Sequence, residues 1–457
     1  MPRLSLGSVA EMVGGEVLAG ADLICDSVVI DSREAKEGSL FIAIRGERLD
    51  GHSFIDHSLQ KATGIMVDTP PDPLPPGKGI VRVADTTVAL QALAREIRRS
   101  FPFTLVAVTG SAGKTTTKEM IAALMASERT TWKSWGNFNN QIGCPLCIAN
   151  TPDGTEVVVS EMGMNHAGEL EMMSRLLVPD VSVYTNVGPV HLEFFESIDG
   201  IAAAKRELLE HMRQDGTVVV NADDPRVLQI SEEFPGRRIS YGVENDADYQ
   251  ALEVEVRGLL GSRFSLLAEG GQREFTLSMP GLHNLENAVA AIATARALGI
   301  TWDGIAYGLA TILPAKHRGI LQRWRGAMLY DDTYNSNPAA LMKTLRLLDE
   351  AAWDGRKVAV IGDMLELGAA EEEFHREIGQ SMPRSIESVI AVGSRSRAIL
   401  DGARQAGYSE AVLHHFDTAD DAGRFLKSYI RDNDLVLLKA SRGIGLDKVI
   451  TILESEA

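Results

Sequence analysis

The chain has 457 residues, of which 45% are hydrophobic and 24% charged, a composition typical of a folded globular protein. Its formal net charge is −18, with 63 acidic and 45 basic side chains, and this balance argues against a broad surface for nucleic acid or for an anionic membrane. One hydrophobic core does not support a chain of this length, so we expect two to four domains.

Only three cysteines occur, Cys25, Cys144 and Cys147, which favours a reduced cytoplasmic protein without a disulfide scaffold. The C-x-x-C spacing of the last two has no second pair to complete a zinc site, and we interpret them as small half-buried side chains at a helix start. The first residues lack the pattern of a secretory signal, and no apolar run approaches the about 18 residues of a membrane span.

The first unit, residues 1–95, is predicted to be a small N-terminal α/β domain. Its apolar runs at 23–30 and 39–44 are separated by polar turns. A helical pattern over 84–101 leads into the next unit.

The second unit, residues 96–313, alternates strand and helix patterns, which predicts a parallel sheet with helices on both faces. Strands are predicted at 105–109, 157–161, 181–186 and 217–221. Helices are predicted at 114–127, 168–177, 200–213, 284–298 and 301–311. The segment between 237 and 280 has strand patterns without helices, which predicts an antiparallel extension. Ligands bind at the carboxyl ends of such strands, where Gly110, Glu161, Asn186 and Asn221 fall.

The third unit, residues 314–457, returns to the alternating pattern and is predicted to be a Rossmann-like α/β domain. Its strands are predicted at 327–330, 358–362, 389–393, 412–416 and 435–439. The unit lacks the G-x-G-x-x-G pattern, so a dinucleotide is not implied.

The segment T-G-S-A-G-K-T-T at 109–116 follows a β-branched run and precedes a helical pattern. A glycine-rich turn between a strand and a helix N-terminus presents backbone N–H groups to an anion. Lys114 is then able to reach the terminal phosphates of ATP, and the Thr115 hydroxyl to hold Mg²⁺. The turn is shorter than the Walker form, because Val108 stands where that form has glycine, so ATP binding is favoured over a generic kinase or GTPase.

Several polar residues near other strand ends allow more than one interpretation. Glu161 is favoured as a Mg²⁺ ligand beside Thr115, since carboxylate and hydroxyl oxygens suit this ion. His191 is equally compatible with a ligand and with a packed or surface residue, and Lys205 alone predicts a solvated helix lysine.

The asparagines are open to similar alternatives. Asn140 lies in a segment that orients a ligand or simply forms a turn, and Asn284 is a possible helix cap. Asn287 lies one turn further on, where no cap is needed, which favours a ligand contact. The segment 331–338, D-D-T-Y-N-S-N-P, has more polar groups than a turn requires.

Taken in chain order, seven short segments resemble the Mur ligase family. They are T-G-S-A-G-K-T-T, N-N-Q-I-G, E-M-G-M, N-V-G-P-V-H-L-E, A-K-R-E, H-N-x-x-N and D-D-T-Y-N-S-N-P. The resemblance runs from Asp31 to Arg442 and covers all three units. Members of this family are ATP-dependent, amide-forming enzymes of peptidoglycan precursor synthesis.

Within the family, the Y-N-S-N-P turn resembles the branch that joins D-alanyl-D-alanine to UDP-N-acetylmuramoyl-tripeptide, giving the pentapeptide precursor, ADP and phosphate. The D-N-P-R turn of members that add diaminopimelate or lysine is absent. The resemblance implies an acyl-phosphate intermediate, ATP with two Mg²⁺ ions, no nucleic acid or membrane partner, and a monomer in the cytoplasm. It also implies three domains: UDP-substrate binding (1–95), ATP binding (96–313) and Rossmann-like (314–457).

The resemblance further implies roles for individual residues. Those implied in catalysis are Lys114, Glu161, His191 and Lys205. The implied metal ligands are Thr115, Glu161, His191 and Lys205, the last carbamylated by CO₂ so that a cation becomes an oxygen donor. Those implied in ATP binding are Gly110, Ser111, Ala112, Gly113, Lys114, Thr115, Thr116, Asn284, Asn287, Arg318 and Asp332. Those implied at the UDP end are Ser32, Arg33, Asp50 and His52, and those near the peptide or dipeptide are Asn140, Tyr334, Asn335, Asn337 and Ser441.

Two other functions remain open from the sequence. One is a different Mur-like ligase that accepts a single amino acid, or the related folylpolyglutamate synthase. The other is a nucleotide-binding scaffold that has lost catalysis.

Overall fold

The computed structural model describes residues 1–46, 49–136, 138–190 and 193–455. It contains three large sheets of five, nine and six strands, one for each predicted unit, and a small two-stranded sheet near the N-terminus. The α/β class and the parallel central sheet predicted from the sequence are therefore confirmed. Among the helices of the described residues, none combines the length and the apolar character needed to cross a membrane.

The N-terminal unit is built on a five-stranded sheet of order β2-β7-β6-β5-β4, parallel except for β2. Its strands are β1 Leu4–Ser5, β2 Glu16–Ala19, β3 Ile24–Cys25, β4 Ser27–Val29, β5 Ser39–Ile42, β6 Gly64–Val67 and β7 Gly79–Arg82. Its helices are α1 Leu6–Val13, α2 Ile55–Leu59 and α3 Thr86–Ser100. Helix α3 runs across the predicted domain boundary at residue 95.

The central unit is built on a nine-stranded sheet of order β16-β15-β14-β13-β12-β11-β8-β10-β9. Its strands are β8 Thr104–Thr109, β9 Thr131–Lys133, β10 Val157–Glu161, β11 Val181–Tyr184, β12 Thr217–Asn221, β13 Arg237–Gly242, β14 Tyr249–Val256, β15 Ser262–Ala268 and β16 Gly271–Leu277. Its helices are α4 Lys114–Ala126, α5 Gly143–Ala149, α6 Glu169–Leu177, α7 Ile198–Arg206, α8 Pro225–Ile230, α9 Leu282–Ala297 and α10 Trp302–Thr311.

Strand β8 lies between β10 and β11 and is parallel to both. Side chains alternate along a strand, so Val106 and Val108 pack into a core with α4, α9 and α10, while Leu105 and Ala107 pack into the opposite core with α5 to α8. Helices thus cover both faces, which explains why β8 is a continuous apolar run. The strand that ends in the glycine-rich turn is therefore held rigidly inside the domain.

The C-terminal unit is built on a six-stranded sheet of order β17-β18-β22-β19-β20-β21, in which only β17 is antiparallel to its neighbour. Its strands are β17 Ile320–Trp324, β18 Ala327–Asp332, β19 Lys357–Gly362, β20 Ile386–Val392, β21 Leu413–Phe416 and β22 Leu435–Lys439. Its helices are α11 Pro338–Glu350, α12 Glu371–Gln380, α13 Arg397–Gln405, α14 Ala419–Tyr429 and α15 Asp447–Glu454.

Most predicted elements are present with small shifts of their ends. The antiparallel extension is confirmed for β14 to β16, whereas β13 still runs parallel to β12. The elements that the sequence prediction missed include α1, α8, β2, β6, β7, β9 and the edge strand β17. The cysteines at 144 and 147 lie in α5 as expected, but both are fully buried rather than half-buried, because α5 packs between the first two units.

The side chain of Asn150 joins the first two units by hydrogen-bonding to both backbone groups of Val28. The Val28 N–H donates to Oδ1 of Asn150 at 2.9 Å, and Nδ2 of Asn150 donates to the Val28 carbonyl at 2.9 Å and to the Leu146 carbonyl at 2.9 Å. Asn150 is 9% exposed, so these bonds are shielded from water. Leu146 also packs into the core of the N-terminal unit, which makes this junction a continuous interior.

Replacing Asn150 by alanine is expected to lower the free energy of unfolding by about 2–3 kcal/mol, because it leaves the Val28 backbone groups buried without partners. Urea denaturation followed by circular dichroism measures this change. Asn245→Ala is the control at an exposed position and is expected to change stability by less than about 0.5 kcal/mol. Equal unfolding curves for the Asn150 variant and the wild type would contradict the structural role of this junction.

Candidate active site

A cleft of about 1030 Å³ lies between the central and C-terminal units. It is lined by the phosphate-loop segment 111–116, by residues after β10, β11 and β12, by the start of α9 and by the turn after β18. Most residues predicted from the sequence for ATP, metal and peptide line this one cleft. They are Ser111, Ala112, Gly113, Lys114, Thr115, Thr116, Asn140, Glu161, Lys205, Asn284, Asn287, Arg318, Asp332, Tyr334, Asn335, Asn337 and Ser441.

Two glycines of the phosphate loop are required by the backbone and by close packing. Gly110 has φ +145°, and a Cβ there would lie 1.9 Å from Oγ1 of Thr185. Gly113 has φ +83°, and a Cβ there would lie 2.5 Å from Oδ1 of Asn287. Glycine alone fits both positions without strain, so the loop is shaped by the sheet beneath it and by α9 beside it.

The loop is tied to the neighbouring strand by Asn186, which follows β11. The Ala112 N–H donates to Oδ1 of Asn186 at 2.9 Å, and the Ser111 N–H donates to the Asn186 carbonyl at 2.9 Å. Lys114 begins α4, and its Nζ donates to the Gly110 carbonyl at 2.8 Å. The first N–H groups of α4 have no partner within the helix and face the cleft with the positive end of the helix dipole.

Two oxygen donors meet beside Lys114. The Thr115 hydroxyl donates to Oε2 of Glu161 at 2.7 Å, and Nδ2 of Asn139 donates to Oε1 of Glu161 at 2.8 Å. Thr115 is 9% and Glu161 3% exposed. The Glu161 N–H donates to Oγ of Ser134 at 3.0 Å, which fixes the strand end. A buried hydroxyl and a carboxylate are the hard ligands that Mg²⁺ prefers, so this donor set fits the ion.

Lys205 lies in α7 and is 2% exposed, so the prediction of a solvated helix lysine is wrong. The Tyr184 hydroxyl donates to the Lys205 carbonyl at 3.0 Å and fixes this part of the helix. Burial lowers the pKa of Lys205 well below its ordinary value, and the nearby charge of Lys114 lowers it further. Within the described ranges no carboxylate pairs with this amine. Burial likewise lowers the pKa of Lys114, although the charge of Glu161 opposes the effect.

Arg318 crosses from the third unit to the phosphate loop. Its Nη2 donates to Oγ1 of Thr115 at 3.3 Å, and its guanidinium stacks 4.1 Å from the ring centre of Tyr334. Its Nε is buried, and in the part of the chain that the structure describes it has no hydrogen-bond partner. A buried donor without a partner inside a cleft indicates a position for an anion.

The turn after β18 is held by an ion pair. Nζ of Lys439 donates to Oδ2 of Asp332 at 2.5 Å and to the Asn335 carbonyl at 3.1 Å. Ser441 is engaged as well, since its hydroxyl donates to the Ser336 carbonyl at 3.2 Å. Oδ1 of Asn337 accepts the Ala340 N–H at 2.8 Å, so this side chain caps α11.

Three further asparagines have structural partners beside the cleft. Oδ1 of Asn140 accepts the Gly143 N–H at 2.9 Å at the start of α5, so its neighbour Asn139 is the one that contacts Glu161. Asn284 does not cap α9 through its side-chain oxygen: its Nδ2 donates to the Pro280 carbonyl at 2.7 Å. Oδ1 of Asn287 accepts the Thr117 hydroxyl at 3.1 Å.

The residues predicted for the UDP end lie in the N-terminal unit, away from the cleft lining. Ser32 is buried in a short 3₁₀ turn, and the exposed Arg33 pairs with Asp31. Asp50 and His52 form a polar cluster in which Nδ1 of His52 lies 2.8 Å from Oδ1 of Asp50. Their role stays a prediction. His191 lies outside the described residues, so its predicted role also stays a prediction.

Sequence reasoning missed two residues of the site, Ser134 and Ser336. Ser134 supports Glu161 and follows β9, which was too short to be recognised. Asn139 belongs to the N-N-Q segment, which the sequence left open between a ligand contact and a turn, and its contact with Glu161 now distinguishes it from Asn140. Ser336 is 4% exposed and lines the cleft, and its hydroxyl donates to no described group. The sequence held one indication of Ser336, because the segment 331–338 has more polar residues than a turn requires.

Comparison with known proteins identifies the family. Three family models match in order: "Mur ligase family, catalytic domain" at 25–97, "Mur ligase middle domain" at 108–295 and "Mur ligase, glutamate ligase domain" at 319–442. The UDP-N-acetylmuramoyl-tripeptide–D-alanyl-D-alanine ligase of Bacillus subtilis is 34% identical over 98% of this chain and 98% of its own length.

Two solved structures are similar over nearly their whole length. MurF from Acinetobacter baumannii is 29% identical, covers 99% of both chains and has a TM-score of 0.88. MurF ligase from Thermotoga maritima, solved in complex with ADP, is 30% identical, covers 94% of this chain and 97% of its own, and has a TM-score of 0.80. With one cleft that holds a phosphate loop, a Mg²⁺-type donor set and an arginine from the third unit, the chain belongs to the Mur ligase family.

Proposed function

We propose that this protein joins D-alanyl-D-alanine to UDP-N-acetylmuramoyl-tripeptide, using ATP and releasing ADP and phosphate. The observation that carries the proposal is that two units meet at the Thr115 hydroxyl. Lys114 precedes Thr115 in the phosphate loop, and Arg318 contacts the Thr115 hydroxyl from the other side of the cleft. The Bacillus subtilis relative carries this dipeptide and this tripeptide in its name, and its similarity covers 98% of this chain.

The chemical problem is electrostatic, because the peptide carboxylate and the triphosphate are both anions. In the proposed mechanism Lys114, the N-terminus of α4 and Arg318 offset the charge of the γ-phosphoryl group while the carboxylate oxygen attacks it. The products are an acyl phosphate and ADP. The dipeptide amine then attacks the acyl carbon, a tetrahedral intermediate forms, the amine proton is lost and phosphate leaves.

Thr115 and Glu161 are proposed to hold one Mg²⁺, and Glu161, His191 and Lys205 a second. When bound, Mg²⁺ neutralises phosphate charge and orients the transferred group. Lys205 is proposed to act as a carbamate, since a protonated lysine beside Lys114 and a metal ion would be repelled. Its burial, with no carboxylate partner among the described residues, supports this, because a neutral amine is the form that combines with CO₂.

The remaining assignments are proposals of the same kind. Asn284, Asn287 and Asp332 are proposed to bind the nucleoside of ATP, and Tyr334, Asn335 and Ser441 to lie near the dipeptide. Asn140 and Asn337 are also proposed near the peptide. Asn337 already caps α11, and Oδ1 of Asn140 already accepts the Gly143 N–H. Ser32, Arg33, Asp50 and His52 are proposed to bind the UDP end.

We propose three domains with the predicted bounds 1–95, 96–313 and 314–457, which the three separate sheets support; α3 continues across the first bound. A cytoplasmic, monomeric enzyme is proposed as well. The three cysteines are free and buried, as expected in a reducing compartment. A ligase for a single amino acid is the second candidate, because the same cleft would activate the carboxylate in either case.

The choice of acceptor tests the proposed function directly. Purified protein, ATP, Mg²⁺ and UDP-N-acetylmuramoyl-tripeptide are incubated with D-alanyl-D-alanine, D-alanine or diaminopimelate, and phosphate release is measured. Release with the dipeptide alone is expected. Release with a single amino acid would favour the second candidate, and no release with any acceptor would favour a non-catalytic scaffold.

Lys114→Met is expected to lower kcat roughly 100- to 1000-fold, because it removes one cation from the phosphoryl position. The fold should persist, since Lys114 bonds only to loop carbonyls. Lys61→Met, at an exposed site in the first unit, is the control and should keep full activity. Wild-type kcat in the Lys114 variant would contradict the assigned role.

Lys205→Ala is expected to lower kcat by roughly 100-fold or more, because the donor that the metal needs is missing. Added formate or acetate should restore part of the rate if the missing group is an anion. Arg206→Ala alters the next residue, which is exposed and forms an ion pair with an exposed glutamate, and should leave kcat unchanged. Full activity of the Lys205 variant would remove the carbamate from the mechanism.

A further inference from the structure

The segment 315–319 connects α10 to the third unit and carries Arg318 to the phosphate loop. Its backbone is unusual on both sides of that arginine: His317 has φ +61° and Gly319 has φ +75°. A Cβ at Gly319 would lie 2.7 Å from the Tyr330 hydroxyl, which explains the glycine. A left-handed conformation at a residue with a side chain is uncommon, and it persists only where contacts hold it.

Those contacts come from Asp331 at the end of β18. Nδ1 of His317 lies 2.7 Å from Oδ2 of Asp331, which assigns the ring proton to Nδ1, since a carboxylate only accepts. Asp331 is 3% exposed, and its other oxygen accepts the Thr333 hydroxyl at 2.7 Å and the Thr333 N–H at 3.2 Å. The carboxylate is thus fixed before it meets the imidazole.

The backbone of the turn is fixed from the same strand. The Gly319 N–H donates to the Asp331 carbonyl at 2.8 Å, and the Tyr334 N–H donates to the His317 carbonyl at 3.1 Å. Tyr334 is also the residue whose ring lies under the Arg318 guanidinium. The contacts of His317 therefore fix the backbone on both sides of Arg318, and with it the direction of the Arg318 side chain.

We propose that His317 and Asp331 are positioning residues that hold Arg318 over the phosphate loop. Neither residue belongs to the set assigned above to ATP, metal or substrate. A rotation of the His317 backbone to negative φ would turn the Arg318 side chain away from Thr115, which it now reaches at 3.3 Å. This inference rests on the proposed use of Arg318 in binding the phosphates of ATP.

Three substitutions at His317 separate the effect of its positive φ from the effect of its side-chain contact with Asp331. Alanine removes the Asp331 contact and disfavours positive φ, whereas glycine accepts positive φ but also lacks the contact. Asparagine tolerates the left-handed region and offers a short N–H donor to Asp331. We expect His317→Ala and His317→Gly to lower kcat and weaken ATP binding roughly 10- to 100-fold, and His317→Asn to stay within about threefold.

The decisive measurement repeats His317→Ala in an Arg318→Ala background. If His317 acts only through Arg318, the second change costs less than about twofold there, because coupled residues are not additive. Arg325→Ala is the matched control: this residue also has positive φ, +47°, but lies in the turn between β17 and β18, and it should leave kcat and ATP binding unchanged. Should His317→Ala fail to fold, His317→Gly takes its place in the same cycle.

ATP affinity is measured by titration calorimetry without acceptor, and kcat by phosphate release with all substrates. Equal losses from His317→Ala in both backgrounds, or no loss in the wild-type background, would overturn the proposal. A wild-type protein that binds ATP without forming an amide bond would overturn the proposed function instead, and the calorimetric cycle would still decide the role of His317.

Discussion

The proposed reaction places a triphosphate and a carboxylate side by side in a protein whose own net charge is −18. Global charge opposes this, so the attraction must be local. It comes from the N-terminus of α4, from Lys114 and from Arg318, which surround one end of β8. A half-buried position strengthens each of these interactions, because little water screens them. Burial lowers the pKa of Lys114, and the nearby charge of Arg318 lowers it further, whereas the charge of Glu161 raises it.

The two sides of the cleft carry different parts of this task. The phosphate loop is rigid: its strand lies in the middle of a nine-stranded sheet, its glycines pack against Thr185 and Asn287, and Asn186 holds its backbone. The third unit contributes Arg318 and the turn after β18 through a short connecting segment. The proposed chemistry needs both sides, and they already meet at Thr115, which Arg318 contacts at 3.3 Å. A cleft closed from both sides would also exclude water from the proposed acyl phosphate.

The sequence predicted the elements that carry strong local patterns. Strands β10, β12 and β22 are β-branched or leucine-rich runs buried on both faces, and their predicted ends agree with the structure. Strand β9 has three residues, and the edge strand β17 contains Gln322 and Arg323, so neither shows an apolar run. The cleft residues after the strand ends followed from topology, since parallel strands end at one edge.

The hydrogen-bond partners of the cleft side chains could not be predicted from the sequence, because they depend on where each side chain points and not on its residue type alone. Asparagine caps a helix, bonds a neighbouring loop or contacts a ligand with the same amide, and Asn337, Asn287 and Asn139 do different things in this cleft. Lys205 shows the same limit, since the pattern of α7 gave no sign that one lysine is buried. The position of Arg318 is a third case: its direction is set by a left-handed His317 and a buried Asp331, fourteen residues apart in sequence and joined only by the pairing of β17 with β18. The placement of Arg318 at the phosphate position thus depends on side-chain contacts that local sequence patterns do not encode. The strands and helices that make those contacts possible are encoded by local patterns.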